Sequence, residues 1–478
     1  MDIIGELLSN LLPNRRIKSL SWIFLGVLVS LIWASCATAP ERPEPPEESF
    51  VEGLEDTPYE GISLYMSLGD PEAAIEAYEE ARIRDPENPD TLVLLAALQL
   101  TAGLVDDAEV TLEETLAEHP DHADSLYYLA LIRGAEDDTQ AQEELLQQAV
   151  ESDPAFASAY AALGELYLTD RRLDDARQAF QEGLEQDPEN LVALVGLGNV
   201  LIRQEEYEEA EEVLTDAIEE APEYDFAYVD RSKARVLQRE FEEAEQDLDE
   251  AIRLEPEFSW HYVDRGRVRA ERRQYAAAVE DFTRAIQLNP DIFLTYVYRG
   301  RANMALEDFE AAFEDYDTAL SMRPDYRDGF ATHGALAFIV QEWETSYRSF
   351  QRAFEAEPDQ YGYPLIAAVG MWRSDEEAAM RSYLADIAPA LPRDTLYWDM
   401  ARFLQTPTGD GALLSKINRE RDEIIKAQML FVMGCYYRRI ELHDTAQTLF
   451  SEVEQIGRRG LIETRLATEE LERYGTPQ

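Results

Sequence analysis

Apolar positions between residues 55 and 360 fall into helical clusters, two to every 34 residues, and each pair of clusters closes on a proline. The prolines are Pro86, Pro120, Pro154, Pro188, Pro222, Pro256, Pro290, Pro324 and Pro358, with no slip in spacing. Proline lacks a backbone N–H and its ring clashes inside a helix, so each one ends the second cluster of its pair. A constant period in this range predicts a solenoid built from one repeated pair of helices.

Other positions keep the same beat when the proline is set at place 32. Place 20 is small in Ala74, Ala108, Ala176, Ala210, Ala244, Ala278, Ala312 and Ser346, and place 27 is small from Ala81 to Ala353 with little exception. Place 24 is large and apolar, as in Tyr78, Leu112, Phe180, Leu248, Phe282 and Phe350. Place 8 is glycine in Gly164, Gly198, Gly266, Gly300 and Gly334. Small residues let the two helices of a pair approach, and the large one fills the seam between them.

This pattern resembles the tetratricopeptide repeat family. The resemblance implies an all-α fold, a right-handed superhelix of helix pairs, with nine repeats over residues 55–360. The third repeat departs from the pattern by carrying Gln142 at place 20, and Pro58 and Ile62 weaken the first.

Upstream, Arg15, Arg16 and Lys18 precede the apolar run Trp22–Trp33 and then Ala34, Ser35 and Cys36. A basic start, an apolar stretch of about a dozen residues and small residues before a break describe a secretory leader. Small-small-Cys resembles the lipobox of bacterial lipoproteins, which implies a signal peptide over 1–35 and lipidation of Cys36. An uncleaved N-terminal anchor is the alternative, since a short apolar run can span by local adjustment. By the same resemblance Ala37 after the cysteine points to the outer membrane, facing the periplasm. Residues 36–54 are rich in proline and glutamate and read as a hydrated spacer.

Charge narrows the partners. The net charge is −56, and residues 37–360 hold 25 basic against 78 acidic side chains. Such a field repels nucleic acid and anionic headgroups and keeps an extended solenoid soluble. A high-salt setting, where acidic surfaces are common, is the favoured account of the acidity over a functional acidic surface. With only Cys36 and Cys435 present, lipidation of the first leaves no disulfide within the chain.

Motifs for chemistry are missing from the sequence. It has no HExxH, no CxxC pair and no Gly-Lys-Ser/Thr loop, and His119 and His122 stand without further nearby ligands. The expectation is a non-catalytic chain with no metal and no cofactor.

Repeats six to eight carry a basic first helix, and it divides into two sets. Place 7 is arginine in Arg231, Arg265 and Arg299 only where place 23 is aspartate, in Asp247, Asp281 and Asp315. Elsewhere the same places hold Leu163 with Ala179 or Leu197 with Val213, so charge enters on both helices together, as structural ion pairs. Place 9, in Asn199, Lys233, Arg267 and Arg301, shows no acid at a fixed partner place. In the family resembled, places 2, 5, 9 and 12 of the first helix line a peptide-binding groove. That assigns Phe226, Trp260 and Leu294 at place 2 and Val229, Val263 and Val297 at place 5 to an apolar stripe beside Lys233, Arg267 and Arg301. Arginine there suits a segment bearing carboxylates.

After Pro358 the period stops, and residues 361–426 read as an irregular helical region. A TPR-like unit and capping helix resume over 427–478, with Gly434, Tyr437, Ala446 and Phe450 at places 8, 11, 20 and 24. Phe431, Gly434, Tyr436 and Tyr437, then Ala446, Leu449 and Phe450, then Glu463, Arg465, Ala467, Glu470 and Leu471 resemble the end of the NlpI family of TPR lipoproteins. That resemblance implies a homodimeric adaptor holding murein hydrolases or a periplasmic protease. Service in outer-membrane or pilus assembly is the alternative, and an enzyme with its site in residues 361–478 is the least favoured.

Overall fold

The computed structural model describes Ile62, Tyr65, Met66 and residues 68–80, 88–457 and 460–474. The leader, Cys36 and the spacer of 36–54 lie outside them. Among the described residues every regular element is helical, from Pro71–Glu80 to Ile462–Tyr474. They fall into two compact units, one ending at Glu255 and the other beginning at Pro256.

In the first unit the pairs are Pro89–Thr101 with Val105–Glu118, Ala123–Ala135 with Thr139–Ser152, Ala157–Thr169 with Leu173–Gln186, Leu191–Arg203 with Tyr207–Glu220, and Asp225–Gln238 with Phe241–Leu254. One backbone device closes every pair. At Glu205 the chain enters the left-handed region (φ 65°), the Glu206 N–H donates to the Leu201 carbonyl (2.9 Å) and the Glu205 N–H to that of Ile202 (3.2 Å). These are the two hydrogen bonds of a Schellman stop, which satisfies the last carbonyls of the first helix and turns the chain back.

The same left-handed residue returns every 34 positions, at Gly69, Gly103, Asp137, Arg171, Glu205, Arg239, Arg273, Glu307, Gln341 and Asp375. Glycine supplies it only in the first two, which is why no glycine beat marks the turn in the sequence. Asp375 extends the register one pair beyond Gln360, to Tyr363–Arg373 with Glu377–Ile387. The backbone period therefore outlasts the proline period on which the sequence reading placed its boundary.

The seam inside each pair is tight. A Cβ on Gly164 would lie 2.5 Å from the Phe180 ring, and one on Gly266 would lie 2.6 Å from Phe282. Gln142 in the third repeat is accommodated from the opposite helix, because a Cβ on Gly134 would stand 2.6 Å from its amide. Phe180 and Phe282 are buried, each removing roughly 1.5–3 kcal/mol worth of apolar surface from water.

In the second unit three more pairs repeat this geometry: Ser259–Glu271 with Tyr275–Leu288, Phe293–Ala305 with Phe309–Met322, and Phe330–Ile339 with Trp343–Ala356. Beyond the pair at Tyr363–Ile387 come two short helices, Leu396–Gln405 and Asp410–Ile417, then Glu423–Arg439 with His443–Ile456. One apolar core, running from Val297 through Phe350, Met400 and Phe431 to Leu466, binds these helices together. The last helix, Ile462–Tyr474, buries Glu463, Leu466, Ala467 and Glu470, a spacing that puts all four on one face. Its outer contacts reach back: Arg465 stacks over Phe309 (4.3 Å), and Arg473 donates to the Ile339 carbonyl (2.6 Å).

Candidate binding surface

Within the first unit, Arg231 meets Asp247 through two hydrogen bonds, Nη2 to Oδ1 at 2.7 Å and Nε to Oδ2 at 3.2 Å. Arg235, one turn on, gives a second guanidinium to the same carboxylate (2.8 Å) and its Nε to Glu211 of the preceding repeat (2.9 Å). Asp247 is 3 % exposed. Burial pushes its carboxyl upward, and the two guanidiniums pull it back.

The second unit repeats the arrangement. Arg265 holds Asp281, with Arg269 as the second donor (2.9 Å), and Arg299 holds Asp315, with Asn303 in that role (3.1 Å). Sequence spacing brought out the first donor at place 7 but not the second at place 11. Thr215 and Thr283 were missed as well; they accept from Arg231 and Arg299 at 3.1 Å across the step to the preceding repeat.

Place 9 behaves differently from the sequence expectation. The Lys233 ammonium sits 2.7 Å from Asp230, and Arg267 sits 3.3 Å from Asp264. The partner is place 6, one turn earlier on the same helix, where residues three apart share a face. Asn199 donates to Asp230 as well (2.8 Å), so that carboxylate bridges two repeats of the first unit. Arg267 also lies over the Tyr298 ring (5.6 Å), and Arg301 feels the phenols of Tyr316, Tyr326 and Tyr298.

The valines correct the expectation further. Val229, Val263 and Val297 are buried, so they support the surface from below and offer no stripe to a ligand. The packing of neighbouring helices, which a place number does not encode, closes over them. Phe226 and Leu294 are half-buried, whereas Trp260 is 43 % exposed on the same helix as Arg267. Of the groove positions assigned from the sequence in the second unit, Trp260 stays exposed, with Arg267 and Arg301, and Phe258 just before the same helix is exposed as well.

Among the described residues no group of three or more His, Cys, Asp or Glu is placed to hold a metal, and no helix is long and apolar enough to cross a membrane. His122 is engaged by Ser125 and Asp90 and caps the helix Ala123–Ala135. His333 is buried against Ser349 and stacked on Phe313, and burial lowers its affinity for a proton.

Sequence profiles of the tetratricopeptide repeat match residues 65–132 and 168–236, and a second such profile matches 133–191 and 263–327. Comparison with curated proteins gives no match. Solved structures similar to this chain include PilW, a widely conserved type IV pilus biogenesis factor (19 % identity, 43 % of this chain and 96 % of that one, TM-score 0.41). Pseudomonas aeruginosa PilF is another (21 % identity, 43 % and 94 %, TM-score 0.39). A tetratricopeptide repeat protein from Parabacteroides merdae is a third (20 % identity, 52 % and 97 %, TM-score 0.38). Residues 65–236 and 263–327 of this chain are tetratricopeptide repeats.

Proposed function

We propose that the chain is a non-catalytic adaptor that binds protein segments on the first helices of its repeats. The observation that carries this reading is Trp260, an indole left 43 % exposed on the helix that also bears Arg267. Tryptophan and arginine are among the residue types on which interface energy concentrates. The preferred occupant is an extended or helical segment with an aromatic or aliphatic anchor and at least one carboxylate.

The resemblances to lipoprotein leaders and to the end of the NlpI family add the setting: a homodimer tethered through Cys36 in a bacterial envelope, organising peptidoglycan hydrolases or a protease. Crosslinking of the mature protein in its native envelope tests the function. Trp260→Ala and the double reversal Arg267→Glu/Arg301→Glu should lose the captured partner; unchanged capture by both variants would sink the reading. Recovery of pilus or outer-membrane assembly subunits in place of murein enzymes would change the setting to envelope assembly. Loss of palmitate labelling in Cys36→Ala tests the tether separately.

A further inference from the structure

Glu165, in the first unit, is a half-buried carboxylate without a counter-ion. It occupies place 9 of the helix Ala157–Thr169, and its side chain makes no hydrogen bond or ion pair with any described residue.

Two relationships elsewhere in the repeats show where a partner would stand. A side chain at place 9 meets place 6 of its own helix, as Lys233 meets Asp230 and Arg267 meets Asp264. It also meets place 6 on the first helix of the next repeat: Asn199 donates to Asp230 (2.8 Å), and Arg267 lies over Tyr298. For Glu165 these two positions are Ala162 and Gly196, and neither offers a polar group. A Cβ on Gly196 would run into the Phe180 ring, so the wall there is a buried aromatic. Leu168, one turn on, and Leu131, at place 9 of the preceding repeat, are half-buried and pack against the same core as Phe180. Burial pushes the Glu165 carboxyl from the usual 4.5 up to about 7, with no cation to draw it back. Tyr127, on the first helix of the preceding repeat, feels its charge.

On the reading that the first helices bind protein segments, we propose that Glu165 selects a segment carrying lysine or arginine and receives that basic side chain. A lone carboxylate on apolar walls is costly to ionise, and a cation brought by the partner removes that cost. The aliphatic stem of lysine or arginine suits Leu131 and Leu168, while its head meets the carboxylate. A charge-assisted hydrogen bond on a wall that excludes water is the strong kind. The surface at Trp260 and Arg267 asks for a carboxylate, so the two units select opposite charges.

The test uses fluorescein-labelled, C-amidated nonapeptide pools, randomised over neutral residues, with the central residue fixed as lysine, arginine or glutamine. Each pool is titrated with the full chain and followed by fluorescence anisotropy. At pH 8 the lysine and arginine pools should bind about tenfold tighter than the glutamine pool, the usual effect of one charge-assisted hydrogen bond. Glu165→Gln should remove most of that preference, with circular dichroism showing the native helix signal. Glu165 must be ionised to act, so in the unaltered chain the preference should shrink from pH 8 to pH 6. Carboxylates of ordinary pKa stay charged over that range and would leave it unmoved. A preference equal at the two pH values, or retained in folded Glu165→Gln, would trace it to the general acidity of the chain and overturn the proposal; so would no preference at all. Trp260→Ala should keep the preference, so this surface and the one at Trp260 can fail separately.

Discussion

Arg265 holds Asp281 through two hydrogen bonds within one helical pair, Nη2 to Oδ1 at 2.6 Å and Nε to Oδ2 at 3.1 Å. Arg269 contributes a second guanidinium to the same carboxylate. Removing Asp281 leaves two cations facing a poorly hydrated seam, whereas removing Arg265 leaves the aspartate still neutralised. Asp281→Ala should therefore cost about 3–5 kcal/mol in urea denaturation, and Arg265→Leu distinctly less. The joint change Arg265→Leu/Asp281→Ala recreates the Leu163 and Ala179 combination of the fourth repeat and should recover part of the loss, Arg269 still having lost its carboxylate. A double variant as unstable as Asp281→Ala would contradict this account.

The glycine at place 8 and the side chain at place 24 should be exchangeable only together. Gly266→Ala puts a Cβ 2.6 Å from Phe282, a buried ring with little freedom to move. Overpacking costs about 1–3 kcal/mol, and the better helix propensity of alanine returns up to about 1. A net loss of roughly 1–2 kcal/mol is expected on thermal or urea unfolding. Phe282→Leu in the same chain should restore stability, because the sixth repeat already combines Ser232 with Leu248. No rescue would mean that the seam is not the constraint.

Gln341 occupies the left-handed turn of the ninth repeat with φ 67°. A branched side chain tolerates that region poorly, so Gln341→Val should destabilise by about 1–2 kcal/mol. Gln341→Gly should be neutral or slightly stabilising, since relief of the turn is offset by a more flexible unfolded chain. Equal stability of the two variants would show that the turn is not held left-handed.

Glu463 is the clearest source of pH dependence. It is 2 % exposed, and burial pushes its carboxyl from the usual 4.5 up to about 7, opposed by its own backbone and by Gln428. Tyr363 and Tyr397 feel its charge, and Tyr397 in turn donates to Gln428 (2.8 Å). Between about pH 4.5 and 7 the folded chain keeps a proton that the unfolded chain has released. Stability contributed by this group is thus present at low pH and falls as the pH rises through that window, by at most ~3 kcal/mol. Unfolding midpoints at pH 5 and pH 8 should differ less in Glu463→Gln than in the unaltered chain, with the gain at pH 8. A pH profile unmoved by the substitution would exclude Glu463 as its origin.

Proline spacing and the small residues at places 8 and 20 determined the repeated pair and its register, because each constraint acts between residues a few turns apart. The pairing of Arg231 with Asp247 was legible for the same reason: both change together within one repeat. Only the tertiary structure decided that Val263 is buried while Trp260 is open, since that depends on how neighbouring helices pack. It also decided that Lys233 and Arg267 are balanced by Asp230 and Asp264, charges lost to view among 98 acidic residues. The pairing of Arg373 with the buried Glu470 lay furthest from the sequence's reach: the two stand 97 residues apart, and no local pattern joins positions so distant.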